Sequence, residues 1–174
     1  MNDKTKIIRA KILSGSMLDR ALAYWRFRGS KIVFTNGCFD ILHLGHAEYL
    51  AKASGLGDVL VAGVNTDSSV RAIKGSLRPL QDEKSRAFLL ASFSVVSAVV
   101  LFEEETPLEL IKRIKPHILV KGNDYRLEEI VGHDIVAEWG GRVEIIDLVE
   151  GYSSSSIIGK IYRSSGKNGS LRPD

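Results

Sequence analysis

Thr35-Asn36-Gly37-Cys38-Phe39-Asp40-Ile41-Leu42-His43-Leu44-Gly45-His46 is the stretch on which the fold turns. Ahead of it, Lys31-Ile32-Val33-Phe34 is a β-branched and aromatic run that reads as a buried strand. Behind it, Ala47, Leu50 and Ala51 share one helical face, so a helix starts near His46. A strand, a turn holding Gly37 and then a helix aims backbone N–H groups at an anion. The first N–H groups of a helix have no partner inside it, and its dipole places partial positive charge there. His43 and His46, spaced i, i+3, add side-chain donors at the same end, and Gly45 between them lets a ligand approach the backbone. The stretch reads as a phosphate site. A metal bound by the two histidines, a purely structural helix cap and a nucleophilic Cys38 are the competing readings. Neither a third metal ligand nor a base for the thiol stands nearby, so no protein-held metal is expected.

Outward from this stretch, strands and helices alternate. Residues 1–15 read as a flexible leader, and Leu18, Ala21, Leu22 and Trp25 form the stripe of an amphipathic helix with Ser16 as N-cap, ended by Gly29. Asp58 to Val64 is a second strand, and Glu83 to Ser94 a helix with Phe88, Leu89 and Phe93 inward. Ser97 to Phe102 is a third strand, followed by a helix opened by Thr106-Pro107, with proline in the first turn. His117 to Lys121 is a fourth strand; a helix through Ile135 and Trp139 ends at Gly140-Gly141. Arg142 to Asp147 is the fifth strand, Ser153 to Tyr162 a last helix, and 164–174 a disordered tail. The pattern predicts an α/β fold: one doubly wound domain over 16–163, with a five-stranded parallel sheet in the order 3-2-1-4-5. Ligands of such sheets bind beyond the carboxyl ends of the strands where the order reverses, here between the strands ending at Asn36 and Lys121.

Composition bounds the rest. The 174 residues suit one domain, with 44% apolar and 26% charged residues as in ordinary globular chains. One cysteine allows no intrachain disulfide and fits a reducing cytoplasm. No signal peptide and no membrane-spanning run is legible. A net charge of +3 suits anionic small substrates, and no basic-plus-aromatic face points to nucleic acid.

Several motifs together carry a family resemblance. Asn36-Gly37-Cys38-Phe39-Asp40 with His43-Leu44-Gly45-His46, Lys74-Gly75 with Arg78-Pro79, Leu119 to Tyr125, and Gly151-Tyr152-Ser153-Ser154-Ser155 stand in the order of one family. The chain resembles the nucleotidyltransferases with the His-x-Gly-His signature. Within them it is most similar to the adenylyltransferases that join ATP to D-glycero-β-D-manno-heptose 1-phosphate. The resemblance runs from about Leu18 to Ile161. It implies catalytic roles for His43, His46, Lys74 and Lys121, with the lysines neutralising phosphates. It implies nucleotide contacts from Asn36, Gly37, Cys38, Phe39, Gly45, Arg86, Gly151, Ser153, Ser154 and Ser155. Substrate contacts would come from Asp40, Asn65, Asp67, Arg78 and Asp124, with Asp40 also orienting the signature turn. The competing readings are a chance surface charge for Lys74 and Arg78, and a plain helix cap for Asp67 and Asp124. Glu103-Glu104-Glu105 reads as a solvated turn, and His117 and His133 receive no role.

The glycerol-phosphate cytidylyltransferases carry an arginine before the serine motif where this chain has Leu148 and Val149. The expected activity is transfer of AMP to heptose 1-phosphate, with Mg²⁺ carried by the ATP phosphates, for lipopolysaccharide or surface-glycan precursors. A cytidylyltransferase of glycerol 3-phosphate or another polyol phosphate is the alternative. A nucleotide-binding sensor without turnover is the alternative of another class. As a further expectation, the chain is a stand-alone cytoplasmic enzyme fed by a separate heptose kinase, with a homodimer as a candidate assembly.

Overall fold

Five short parallel strands form one sheet, and their carboxyl ends define the edge on which the site is built. The computed structural model describes residues 3–124 and 126–165. In chain order the elements are α1 (Lys4–Arg9), α2 (Gly15–Phe27), β1 (Ile32–Gly37), α3 (Leu44–Ser54), β2 (Val59–Asn65), α4 (Asp67–Lys74), α5 (Glu83–Ser92) and β3 (Ala98–Phe102). They continue with α6 (Leu108–Ile114), β4 (Ile118–Gly122), a 3₁₀ turn (Leu127–Glu129), α7 (His133–Glu138), β5 (Arg142–Ile146) and α8 (Ser154–Ser165). The sheet order is β3-β2-β1-β4-β5 and every pairing is parallel, as the alternation of elements required.

The central strands are buried on both faces, which is why they read as unbroken Val/Ile/Leu runs. One face packs Leu18 and Leu22 of α2, Leu110, Ile111 and Ile114 of α6, and Val136 of α7 against Ile32, Phe34 and Leu119. The other packs Tyr49, Leu50 and Ala53 of α3 and Ala87, Leu90 and Ala91 of α5 against Val33, Leu60 and Val120. The reversal of strand order falls between β1 and β4, so the crevice opens between these two helical layers.

Four expectations need correction. The leader is not loose: Asp3 caps α1 by accepting from Thr5 N at 3.0 Å, Ile12 bridges Val99 of β3, and Leu13 is buried. Lys11 Nζ donates to the carbonyl oxygens of Phe93 and Val96, so this segment extends the sheet edge. Helix α2 starts two residues earlier than expected, with Ser14 as N-cap in place of Ser16. In α5 the inward residues are Arg86, Ala87, Leu90 and Ala91, whereas Leu89 is exposed. In α3 Ala51 is likewise exposed, because the buried face runs through Gly45, Tyr49, Leu50 and Ala53. The expected tail from 166 onward lies outside the described residues.

Candidate active site

β1 runs on through Gly37, and the turn after it is held in a costly backbone state. Phe39 has φ of 48°, a left-handed conformation that a bulky residue adopts only when its surroundings impose it. Those surroundings are visible. The Phe39 ring is buried, and Arg86 Nη1 donates to the Cys38 carbonyl at 2.6 Å. The Asp40 carboxylate, 4% exposed, accepts from Arg78 Nη1 at 2.6 Å, Leu80 N at 2.7 Å and Gln81 N at 3.0 Å. The signature turn is therefore clamped to the loop between α4 and α5. The Asp40 carboxylate ties this turn to that loop through three protein donors, and Asp40 also lines the cleft where a substrate contact was expected.

The helix begins at Leu44 with His43 as N-cap, and the two imidazoles lie 3.9 Å apart between centroids. Gly45 keeps this space open: a Cβ would press on the His43 ring at 3.1 Å and touch Tyr152 Cβ at 3.4 Å. Burial, then the nearby His43 and Lys74, hold the His46 imidazole down to about 4; burial lowers His43 also. At neutral pH His46 is thus an uncharged donor. Nδ1 of His43, Nδ1 of His46 and Oδ1 of Asn36 are buried without a hydrogen-bond partner in the structure. An unmet buried polar atom costs about 1–3 kcal/mol, so three in one place point to a polar ligand.

These atoms line a cleft of about 610 Å³ that gathers most of the expected site. From the signature come Asn36, Gly37, Cys38, Phe39, Asp40, His43, Gly45 and His46; from elsewhere come Asn65, Lys74, Arg78, Lys121, Asp124, Ser153, Ser154 and Ser155. Lys74 is the last residue of α4, a helix not legible in that polar stretch, and Arg78 lies in the loop that follows. Burial pushes the Lys121 ammonium down to about 8, against the raising pull of Asp124 and Cys38. Lys121 Nζ also reaches the Asn36 carbonyl at 3.4 Å, which ties the end of β4 to the end of β1.

The second helix terminus meets the first. Ser154 Oγ donates to the Ile41 carbonyl at 3.2 Å, joining α8 to the signature turn. Ser153 Oγ accepts from Ser156 N at 3.0 Å, so its hydroxyl serves as the helix cap. Gly151, with φ of 81°, makes the turn that admits this arrangement and does not itself line the cleft.

Besides Gly151, two expected contacts fall elsewhere. Arg86 is fully buried and outside the cleft lining, with Nε donating to the Gln81 carbonyl and Nη2 to Asp67 Oδ1 at 2.7 Å. Asp67 is outside the lining as well, its carboxylate taken by Arg86. Both are explained by the clamp: the cation's donors are used to hold the Cys38 turn, and Asp67 compensates its charge. Sequence reading also missed residues that line the cleft, among them Glu105, Thr106, Glu129 and Tyr152. Glu105 and Thr106 follow the carboxyl end of β3, which was the signal available for finding them.

A parallel doubly wound sheet, two helix N-termini meeting over a histidine pair, and lysines on both flanks define a nucleotide-handling enzyme of the Rossmann-like class. Residues 34–160 match the model of the cytidylyltransferase-like family, and the chain belongs to that family; it is a nucleotidyltransferase. It is similar to the bifunctional protein HldE of Citrifermentans bemidjiense, 54% identical over 89% of this chain and 32% of that protein. The HldE protein of Geobacter metallireducens is 56% identical over 80% of this chain and 29% of its own length. The chain thus spans about a third of the curated relatives it matches. Among solved structures it is similar to the lipopolysaccharide core biosynthesis protein of Thermoplasma volcanium, with a TM-score of 0.59 and 34% identity. That match covers 72% of this chain and 100% of that one. No helix among the described residues is long and apolar enough to cross a membrane.

Proposed function

We propose that this chain transfers AMP from MgATP to D-glycero-β-D-manno-heptose 1-phosphate, giving ADP-heptose and pyrophosphate for lipopolysaccharide or surface-glycan precursors. The observation that carries this reading is the cleft where His43 and His46, at the start of α3, meet the serine-rich start of α8 with Lys74 and Lys121 on the walls. An oxygen of the sugar phosphate attacks the α-phosphorus, and the bond from that phosphorus to the β-bridging oxygen breaks. The nucleophile is already an anion, so no base is needed and the protein's work is to position charge and stabilise it. Neutral His43 and His46 donate N–H groups to phosphate oxygens, and the two lysines offset charge as pyrophosphate separates. Backbone N–H groups at the start of α8 and the Ser155 hydroxyl hold the leaving phosphates.

The preference for ATP and a heptose rests on two supports. The HldE relatives are about half identical over most of this chain, and the Thermoplasma relative is named for lipopolysaccharide core biosynthesis. Leu148 and Val149, where the glycerol-phosphate enzymes carry arginine, line the cleft with apolar surface. The Mg²⁺ of this reading enters on the nucleotide. A kinase that phosphorylates the anomeric oxygen must supply the acceptor, and the ATP used is that of the cytoplasm. The exposed Ile145, Ile161 and Tyr162 on β5 and α8 support a homodimer, which sedimentation would test. Pyrophosphate release, measured over a grid of ATP and CTP against heptose 1-phosphate and glycerol 3-phosphate, tests the whole reading. ATP with heptose 1-phosphate should be the productive pair; a preference for CTP with glycerol 3-phosphate would replace it with the cytidylyltransferase reading.

A further inference from the structure

The acidic run Glu103-Glu104-Glu105 sits at the carboxyl end of β3, and the structure gives it a fixed place. The Glu104 carbonyl accepts from Ser69 Oγ at 2.9 Å, and Ser69 Oγ accepts from Asn65 Nδ2 at 2.9 Å. Asn65 and Ser69 are 4% and 3% exposed, and Cys38 Sγ lies 4.0 Å from Asn65 Oδ1. A chain of polar contacts thus runs from the signature turn to this acidic turn, whose glutamates are solvated as expected and whose Glu105 borders the cleft. Glu105 and Thr106 line the cleft beside Pro107, which opens α6. They therefore belong to the α2/α6/α7 layer, whereas the signature belongs to the α3/α5 layer. Among the described residues the Glu105 carboxylate has no hydrogen bond or ion pair, unlike Asp67 and Asp40, whose oxygens are taken by Arg86 and Arg78.

We propose that Glu105, with Thr106 beside it, is the specificity-determining contact for the hydroxyl-bearing part of the acceptor. The inference rests on the nucleotidyl-transfer reading of the cleft, and it assigns to Glu105 the task expected of Asp67. A carboxylate takes both hydroxyls of a vicinal diol, because its two oxygens match the spacing of two donors. It also repels an acceptor that carries a second phosphate at the far end of the sugar. The phosphate end of the acceptor is taken by Lys74 and the histidines, and the polyol end by Glu105 and Thr106.

The test is steady-state kinetics of the wild type, Glu105→Gln and Glu105→Ala, varying acceptor and nucleotide separately over the same panel of sugar and polyol phosphates. For whichever acceptor the wild type uses, both variants should raise the acceptor KM by about tenfold or more, the usual loss for a hydrogen bond to a charged group. The nucleotide KM and kcat should stay within about twofold, since Glu105 does not touch the reacting phosphates. Glu105→Gln should also accept a doubly phosphorylated sugar better than the wild type does. An unchanged acceptor KM in both variants overturns the assignment and leaves the transferase reading intact. A wild type that prefers CTP and glycerol 3-phosphate overturns the heptose reading, while Glu105 is still judged by the KM for glycerol 3-phosphate. Glu105 is exposed, so both variants should melt with the wild type; a matched rise in both KM values would show a disturbed cleft and count against the proposal.

Discussion

In the proposed mechanism His46 serves the transition state more than the fold. Its ring stacks on His43 and lies 5.4 Å from Phe39, yet its Nδ1 has no protein partner. His46→Ala should lower kcat by about 100- to 1,000-fold, the usual loss of one donor to developing charge. Melting at pH 8 should change little, and near-normal turnover would remove His46 from the mechanism. The same ring leaves a mark on stability. In the unfolded chain it takes up a proton near 6.5, but in the fold it stays neutral down to about 4. The unfolded state therefore binds more protons in that interval, and stability falls as pH drops from 6.5 towards 4. His46→Gln should flatten that part of a melting-versus-pH curve. Lys121 acts at the other end of the scale. With its ammonium pushed down to about 8, the cation is present below that pH and lost above it. The kcat/KM for ATP, which reports groups of the free enzyme, should fall as pH rises through 8, and Lys121→Arg should move that limb to higher pH.

At the scale of elements, the clamp between the signature turn and the loop following α4 governs how precisely the histidines sit. Arg86 from α5 joins the Cys38 carbonyl, the Gln81 carbonyl and Asp67 at the start of α4, so one guanidinium fastens three segments. Arg86→Met keeps the volume but leaves two carbonyls and a carboxylate unmet, which costs about 3–5 kcal/mol when one side of a buried ion pair is removed. The variant should melt well below the wild type, and Asp67→Asn on the same background should recover part of the loss by removing the stranded charge. Equal melting temperatures for wild type and Arg86→Met would show that the cluster is structurally idle. Helix α1 teaches a related lesson. Its own six residues bury nothing fully, yet Lys11, Ile12 and Leu13 just beyond it dock on the sheet edge at Val99.

For the whole molecule, the cleft is lined by the turn after β3, the signature after β1 and the start of α8. On the proposed reading, the anionic end of the acceptor reaches the histidines and lysines while its hydroxyls meet Glu105 and Thr106, and heptose 1-phosphate carries both kinds of group. With MgATP it should be consumed and release pyrophosphate, whereas heptose 7-phosphate, charged at the wrong end, should not react; equal rates for the two would show that the cleft does not orient its acceptor.

The sheet order and the place of the crevice were legible in the residues, because hydrophobic period and right-handed crossovers leave few alternatives for alternating strands and helices. The strand, the glycine turn and the helix start that carry His43, Gly45 and His46 to the cleft were legible for the same kind of reason, being local features. Pairings between segments far apart in sequence were not. Arg86 looked like a phosphate ligand and Asp67 a reader of hydroxyls until the fold placed them 2.7 Å apart, where each offsets the other's charge. Glu105 read as solvated surface and is exposed; only the fold shows that its turn, tied to Ser69 through the Glu104 carbonyl, borders the cleft. Local sequence sets which groups can carry charge and where helices begin. Only tertiary packing decides which of those charges are spent on one another and which are left to face a ligand.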